Sequence, residues 1–184
     1  ALGDLIFGAD EQTLAQVVGE LLREQKKTVT TAESCTGGLL AKYLTDVPGS
    51  SAYFKQGFIT YSNDAKQSLL HVPVELLQEH GAVSEPVVKA MAISARRIAK
   101  ADWALAISGI AGPDGGTPTK PVGTICISLT YDLPSIPEES RFSRSEHHTR
   151  TFLFPRDREM IRDRSAKMAL TMLRYHLLGK PLPF

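Results

Sequence analysis

Apolar residues recur every three or four positions in several stretches of the chain, and this spacing predicts amphipathic helices. Cap residues sharpen the boundaries, since Ser62 precedes one apolar stretch and Ser84 with Pro86 opens another. Pro48 and Gly81 lie where two of the stretches end. The predicted helices cover residues 10–22, 39–44, 62–70, 73–81, 84–100 and 156–178.

Short runs between these helices are β-branched, alternating or continuously apolar, as is typical of strands. The most apolar run, residues 103–107, predicts a central strand covered on both faces. Residues 132–149 are polar and contain prolines, so a loop is predicted there. The predicted strands cover residues 28–32, 54–61, 103–107, 122–131 and 151–154. Strands that alternate with helices indicate one layered α/β domain over residues 11–180, with a lead-in or linker at 1–10.

The composition narrows the classes of protein that fit this pattern. The 184 residues include 21 Lys and Arg and 20 Asp and Glu, and a net charge of +1 does not favour nucleic acid or an anionic membrane as a partner. No apolar run approaches the ~20 residues of a membrane helix. Two cysteines, Cys35 and Cys126, are too few for a disulfide scaffold, which favours a reducing, cytoplasmic location. The five histidines show no metal-ligand spacing, so no metal site is predicted.

A turn of small residues follows the first predicted strand. Ser34 lies at this strand end, where open α/β sheets bind ligands. The amides of Cys35 and Thr36 would lie at a helix N-terminus and could receive an anion or an oxyanion. The hydroxyl of Ser34 or Thr36 could instead simply cap the helix. Cys35 could also be the nucleophile, although a small buried residue is the commoner role of such a cysteine.

A second candidate loop, residues 108–116, follows the most apolar strand and is rich in glycine. It contains neither the dinucleotide-binding fingerprint nor a P-loop. The backbone of such a loop either surrounds a ligand or makes tight turns, and the sequence leaves both functions open.

Lys66 lies just after another strand end, at the start of a predicted helix. It is either a solvated surface lysine or, if it is buried beside a serine, a general base. Ser62 lies four residues earlier on one helical face, so a Ser62–Lys66 pair competes with a Ser34–Lys66 pair. Sequence spacing does not decide between the two pairs.

Seven motifs occur in the order in which the CinA C-terminal family, the nicotinamide-nucleotide amidohydrolases, has them, and the chain resembles that family over residues 10–178. The motifs are residues 31–38 (TAESCTGG), 47–51 (VPGSS), 61–66 (YSNDAK), 80–85 (HGAVSE), 108–116 (SGIAGPDGG), 120–124 (KPVGT) and 156–158 (RDR). Residues 1–10 also resemble the join between the two domains of longer competence/damage-inducible proteins. The resemblance therefore implies the C-terminal part of such a protein.

The family resemblance implies a three-layer α/β/α sandwich with a mixed central sheet. It also implies deamidation of nicotinamide mononucleotide to nicotinic acid mononucleotide and ammonia, through a Ser/Lys dyad and an acyl-enzyme, without a cofactor or a metal. The expected partners are the nucleotide substrate, a second copy of the chain in a homodimer and a fused N-terminal CinA domain. Nucleic acid and membranes are not expected partners.

The resemblance also assigns roles to individual residues. Ser34 corresponds to the nucleophile and Lys66 to the base, and Tyr61 is the third catalytic residue expected. Tyr61 and Ser51 are expected to orient the dyad, and Arg158 to bind the 5′-phosphate at the N-terminal turn of the last helix. The residues expected to bind the substrate are Cys35, Thr36, Gly37, Ser51, Ser108, Gly109 and Arg158.

The sequence departs from the family pattern near the expected phosphate site. The segment 131–149 is longer than in compact members, and Arg156 stands where a glycine is usual. It therefore stays open whether Arg156 or Arg158 contacts the phosphate. By pattern alone, the arginines between residues 141 and 164 form a solvated basic face.

An alternative function belongs to another class of protein. The chain would then be a nucleotide-binding or regulatory module that has lost its catalytic role and acts together with an N-terminal domain. Release of ammonia from nicotinamide mononucleotide distinguishes the amidohydrolase from the non-catalytic module. A nucleic-acid-binding domain is disfavoured by the net charge of +1.

Overall fold

The computed structural model describes residues 3, 6–132 and 145–184. This described part contains five strands, six α-helices and a 3₁₀ turn at Ser50–Ala52. The strands are β1 (Val29–Glu33), β2 (Phe54–Ile59), β3 (Trp103–Gly109), β4 (Thr124–Tyr131) and β5 (Glu146–Leu153). The helices are α1 (Leu14–Glu24), α2 (Leu39–Thr45), α3 (Asn63–Leu70), α4 (Val74–His80), α5 (Glu85–Ala99) and α6 (Arg158–Leu177).

The strands form one mixed sheet in the order β2-β1-β3-β4-β5. β2, β1 and β3 are parallel, whereas β4 and β5 are each antiparallel to the preceding strand. Every residue of β1 is buried, as are the five central residues of β3. Such continuous burial is expected of parallel strands with helices on both faces.

Two hydrophobic cores attach the helices to the sheet. On one face, Val18 of α1, Leu40 of α2 and Leu170 of α6 belong to a single buried cluster. On the other face, Leu70 of α3 and Met91 of α5 belong to a second cluster. Burial of a side chain of this size contributes roughly 1.5–3 kcal/mol, so each core holds its helix layer firmly against the sheet. The predicted three-layer α/β/α sandwich is therefore confirmed.

The chain leaves β1 and β2 toward opposite faces of the sheet. After β1 it enters α2 on one face, and after β2 it enters α3 on the other. Open α/β sheets bind ligands where the carboxyl ends of two neighbouring strands diverge in this way. Ser34 follows β1 and Lys66 lies near the start of α3, so the topology brings both residues to one crevice.

Two predicted element starts are wrong by four residues or more, whereas the other boundaries differ by at most two. The first helix begins at Leu14 instead of Asp10, because Thr13 and Gln16 form a reciprocal capping box there. The loop predicted over residues 132–149 is wrong in its last part, because β5 begins at Glu146 and pairs with β4. No residue of this edge strand is fully buried, so its hydrophobic pattern is weak. The part of that loop at residues 133–144 lies outside the described residues.

Candidate active site

Ser34 is the first residue after β1. Its amide donates to the carbonyl of Ile107, 2.9 Å away, so the backbone of Ser34 continues the pairing of β1 with β3. The residue is only 8% exposed. Its position at the edge of a rigid sheet holds the hydroxyl at the mouth of the crevice between β1 and β2.

Lys66 reaches this hydroxyl from the other side of the crevice. Its Nζ lies 3.1 Å from Ser34 Oγ, and its side chain is buried within the fold. Ser62 is not a partner of the Lys66 amine, because Ser62 Oγ accepts the amide of Ala65 at 3.0 Å and caps α3. The structure therefore brings Lys66 to Ser34 and gives Ser62 the role of a helix cap.

Burial of Lys66 acts against the charged form of its amine. Burial lowers the pKa of Lys66 below its ordinary value, and within the described residues no carboxylate forms an ion pair with it. Its Nζ also lies 2.8 Å from the carbonyl of Thr60 and 3.4 Å from that of Tyr61. A neutral amine has two N–H groups for these carbonyls, which leaves its lone pair for the proton of Ser34.

Glu33 occupies the N-terminus of α2, so the helix end itself is not available to an external anion. Its carboxylate accepts the amides of Gly38, Leu40 and Ala41 at 2.8–3.1 Å. The helix starts at a left-handed residue, Gly38, with φ of 95°, and no side chain of the turn caps it. The alternative in which Ser34 or Thr36 caps α2 is therefore wrong, and the sequence pattern does not reveal the role of Glu33.

The amides of Cys35 and Thr36 lie in the turn before α2 instead of in its first helical turn. Within the described part of the chain, neither amide donates a hydrogen bond to another residue. Among the residues described, the amide of Cys35 interacts with its own thiol only, so both amides are candidates to stabilise an oxyanion that forms beside Ser34. The thiol of Cys35 is buried, and burial raises its pKa to about 12, so a thiolate nucleophile is disfavoured at neutral pH.

Arg158 and Tyr61 interact at the rim of the crevice. Arg158 Nη2 donates to the Tyr61 hydroxyl at 3.2 Å, and Nη1 donates to the carbonyl of Gly112 at 2.8 Å. Tyr61 thus contacts Lys66 through its carbonyl, whereas its side chain orients Arg158. Asp157 caps α6 by accepting the amide of Met160, so an anion at Arg158 would not have that helix amide available.

The remaining predicted site residues have mainly structural contacts. Ser108 and Gly109 belong to the end of β3, and the hydroxyl of Ser108 donates to the carbonyl of Ala82 at 2.7 Å. A Cβ on Gly109 would lie 3.2 Å from Cys35 Sγ and closer still to β4, so the absence of a side chain permits this packing. Ser51 is exposed in the 3₁₀ turn and, in the structure as described, makes no hydrogen bond to the dyad.

The sequence pattern also does not reveal the contact of Arg162, since it predicts this residue to be one of the solvated arginines. Its Nη2 donates to the carbonyl of Thr36 at 2.7 Å, and Gly37 lies directly beneath the guanidinium. The helical spacing of four residues from Arg158 is the one signal that places both arginines on the same face of α6. Arg156 is exposed and forms no hydrogen bond within the described residues.

The described residues contain neither a metal-ligand cluster nor a membrane-spanning helix. No group of three or more His, Cys, Asp or Glu side chains there could hold a metal ion. No helix in the same part of the chain is long and apolar enough to cross a membrane.

Comparison with known proteins gives one family. The CinA C-terminal domain matches residues 11–177. The chain is 49% identical over 160 residues to the nicotinamide-nucleotide amidohydrolase PncC of Escherichia coli, covering 87% of this chain and 90% of that protein. It is 48% identical over 178 residues to a CinA-like protein of Geotalea uraniireducens, covering 97% of this chain but 40% of that protein. The chain thus spans about two fifths of the length of several curated relatives.

Solved structures show the same fold. The competence/damage inducible protein CihA of Agrobacterium tumefaciens superposes with a TM-score of 0.79 and 37% identity, covering 94% of this chain and 98% of that one. The competence damage-inducible protein A (ComA) of Klebsiella pneumoniae gives a TM-score of 0.80 and 34% identity, over 90% of this chain and 95% of that one. The chain belongs to the CinA C-terminal domain family.

Proposed function

We propose that this chain hydrolyses the carboxamide of nicotinamide mononucleotide, giving nicotinic acid mononucleotide and ammonia. The observation that carries the proposal is the buried contact of 3.1 Å between Lys66 Nζ and Ser34 Oγ. It is supported by 49% identity to a protein named nicotinamide-nucleotide amidohydrolase. In this proposal Ser34 is the nucleophile and Lys66 is the general base.

Acylation starts with Lys66 as a neutral amine. Its two N–H groups donate to the carbonyls of Thr60 and Tyr61, and its lone pair accepts the proton of Ser34. Ser34 Oγ then attacks the carboxamide carbon, and the resulting oxyanion is stabilised by the free amides of the turn after β1. When the C–N bond breaks, Lys66 donates the proton to the leaving nitrogen, and ammonia departs.

Deacylation uses the same two residues. The acyl-enzyme is an ester between Ser34 and the pyridine-3-carboxyl group of the nucleotide. Water attacks the ester carbon while Lys66 accepts one of its protons. Breakage of the C–O bond to Ser34 then releases the acid product, and Ser34 regains its proton from Lys66. The net reaction consumes one water and one carboxamide and yields one carboxylic acid and one ammonia.

The charges of the nucleotide suit the two sides of the site. The pyridinium ring is cationic, and a cation near Lys66 disfavours protonation of this amine in addition to the effect of burial. The 5′-phosphate is anionic, and Arg158 lies at the rim, anchored by Tyr61 and Gly112. Because a guanidinium has five N–H groups, Arg158 keeps three for the phosphate while it holds both anchors.

Measurement of ammonia release from nicotinamide mononucleotide tests the proposal. The whole chain should release ammonia and form nicotinic acid mononucleotide in equal amounts, and Ser34→Ala should abolish both. Ser62→Ala is the matched control, because it removes the cap of α3 at a cost of about 1 kcal/mol in stability while the Ser34–Lys66 pair is retained. Failure of the folded wild-type chain to release ammonia would favour the non-catalytic nucleotide-binding module instead.

A further inference from the structure

Arg162 of α6 forms a hydrogen bond with the backbone of the turn that follows β1 and contains Ser34. Its Nη2 donates to the carbonyl of Thr36 at 2.7 Å. The guanidinium lies over Gly37, where an added Cβ would be 3.5 Å from Nη2. Arg162 Nε is buried and has no acceptor among the described residues, so the charge is partly removed from water. A charge-assisted hydrogen bond is stronger in such surroundings than on an open surface.

This hydrogen bond restricts the peptide planes of the turn. The carbonyl of Thr36 also accepts the amide of Leu39 at 3.2 Å, and the carbonyl of Ser34 accepts the amide of Gly37 at 3.1 Å. A peptide plane contains the carbonyl of one residue and the amide of the next, so the bond from Arg162 to the Thr36 carbonyl orients the amide of Gly37. That amide donates to the Ser34 carbonyl, and the same peptide plane as this carbonyl contains the amide of Cys35. Arg162 therefore limits the direction of the Cys35 amide through one intervening hydrogen bond.

The charge of Arg162 acts on groups in the turn that contains Ser34 and Cys35. Burial is the main cause that raises the pKa of the Cys35 thiol, and the positive charges of Arg158 and Arg162 oppose that rise. Arg162 is therefore close enough to stabilise negative charge in the turn. An oxyanion bound by the amide of Cys35 would experience the same two positive charges, which act against the negative charge of Glu33.

Direct binding of the substrate phosphate by Arg162 is less consistent with its neighbours. A groove of about 530 Å³ beside Arg162 is lined by Arg158 as well as by two carboxylates, Glu159 and Asp163, so the carboxylates offset the charge of the two arginines. Nε of Arg162 is buried and its Nη2 is used by the carbonyl of Thr36, so two of its three guanidinium nitrogens face the protein.

We propose that Arg162 is a positioning residue that orients the oxyanion-binding amide of Cys35, by holding the Thr36 carbonyl and with it the Gly37 amide that donates to the Ser34 carbonyl. This inference rests on the proposed amide hydrolysis. It assigns Arg162 no contact with the substrate. Its loss should therefore lower the rate of the chemical step more than the affinity for the nucleotide.

Kinetics of ammonia release by the whole chain test this assignment. Arg162→Met, which keeps the length of the side chain but removes its donors, should lower kcat about 10- to 100-fold and change KM by less than about threefold. Arg162→Lys keeps one cationic donor and should recover part of the lost rate. Arg164→Met is the matched control, because Arg164 is exposed two residues further along α6 and its loss should leave kcat unchanged.

The ratio of the rates with nicotinamide mononucleotide and thionicotinamide mononucleotide distinguishes misoriented amides from general loosening of the fold, because loosening would slow both reactions equally. The sulfur of the thio compound accepts hydrogen bonds weakly, so the thioamide gains little from oriented amides. Arg162→Met should therefore reduce the rate with the oxygen substrate several-fold more than the rate with the sulfur substrate. Equal losses on both substrates would overturn the assignment, as would a raised KM with unchanged kcat, which would make Arg162 a substrate-binding residue.

Phosphonylation of Ser34 by a fluorophosphonate, followed by intact mass, separates this inference from the proposed function. The phosphonyl oxygen would occupy the position of the oxyanion, so Arg162→Met should slow labelling about as much as it lowers kcat. A wild-type chain that labels at Ser34 but releases no ammonia would contradict the proposed substrate alone. Labelling at the wild-type rate in folded Arg162→Met would contradict the role of Arg162 alone. Thermal unfolding of each variant identifies the folded ones.

Discussion

Replacement of Lys66 by methionine removes the proposed base while it keeps a side chain of similar length. Lys66 is only 1% exposed, and in the described part of the chain its Nζ is the sole side-chain hydrogen-bond partner of Ser34 Oγ. A positioned general base contributes about 10²–10⁴ to the rate. Because the described residues place no second base at Ser34, Lys66→Met should lower kcat about 10³-fold, equivalent to about 4 kcal/mol of activation free energy.

The pH dependence of kcat/KM should identify the same amine. Burial lowers the pKa of Lys66 from its ordinary value of 10.5, and only the neutral amine accepts the proton of Ser34. Activity of the wild-type chain should therefore rise with pH through a midpoint below 10.5 and then level off. Any residual activity of Lys66→Met should lack this rise.

The free energy of unfolding should also depend on pH, in a direction that follows from the lowered pKa of Lys66. Between the lowered pKa of the folded chain and 10.5, the unfolded chain binds more protons at Lys66 than the folded chain does. The free energy of unfolding therefore increases with pH across this window, and the penalty of the buried amine is complete below it. The wild-type chain should gain stability relative to Lys66→Met as the pH rises toward 10.5, as measured by urea unfolding at several pH values.

Two control variants test whether the loss of activity is specific to Lys66 as the base. Lys55→Met, at an exposed position of β2, should change neither kcat nor the pH profile. The double variant Ser34→Ala with Lys66→Met should be no worse than either single variant, because the two residues act as a unit. If Lys66→Met keeps more than about a tenth of wild-type kcat, or keeps the rise with pH, Lys66 is not the base.

Four further variants test other parts of the site. Arg158→Ala should raise KM for the mononucleotide about 10- to 150-fold and barely affect KM for the nucleoside. Arg156 lacks the contacts that anchor Arg158, so Arg156→Ala should change KM for neither substrate. Cys35→Ala should keep substantial activity, because burial raises the thiol pKa to about 12; an inactive, folded Cys35→Ala would instead make the thiol the nucleophile. Glu33→Gln should lose at least one of the hydrogen bonds that the backbone amides of α2 donate to this side chain, which should lower the free energy of unfolding by about 1.5–3 kcal/mol. Unchanged unfolding in urea would contradict this account of the helix start.

Most of the layered fold was determined by local sequence. The apolar run of β3 and the Ser84–Pro86 helix start each appear at the predicted place, because burial on both faces and helix initiation have short-range signatures. Strand β5 had no such signature before residue 151, because it lies at the sheet edge with no fully buried residue. Its pairing with β4 is a tertiary fact that hydrophobic pattern does not encode.

The candidate site divides in the same way between sequence and tertiary structure. Sequence alone identified Ser34 and Lys66 as candidates, since each follows a strand end, but it could not choose between Ser34 and Ser62 as the partner of the lysine. That choice depended on β1 and β2 being neighbours whose chains diverge to opposite faces of the sheet. The contacts of Glu33 with α2 and of Arg162 with Thr36 were likewise decided only by the fold. A hydrogen bond between side chain and backbone leaves no periodic trace in the sequence, and one that spans 126 residues also depends on how separate elements pack.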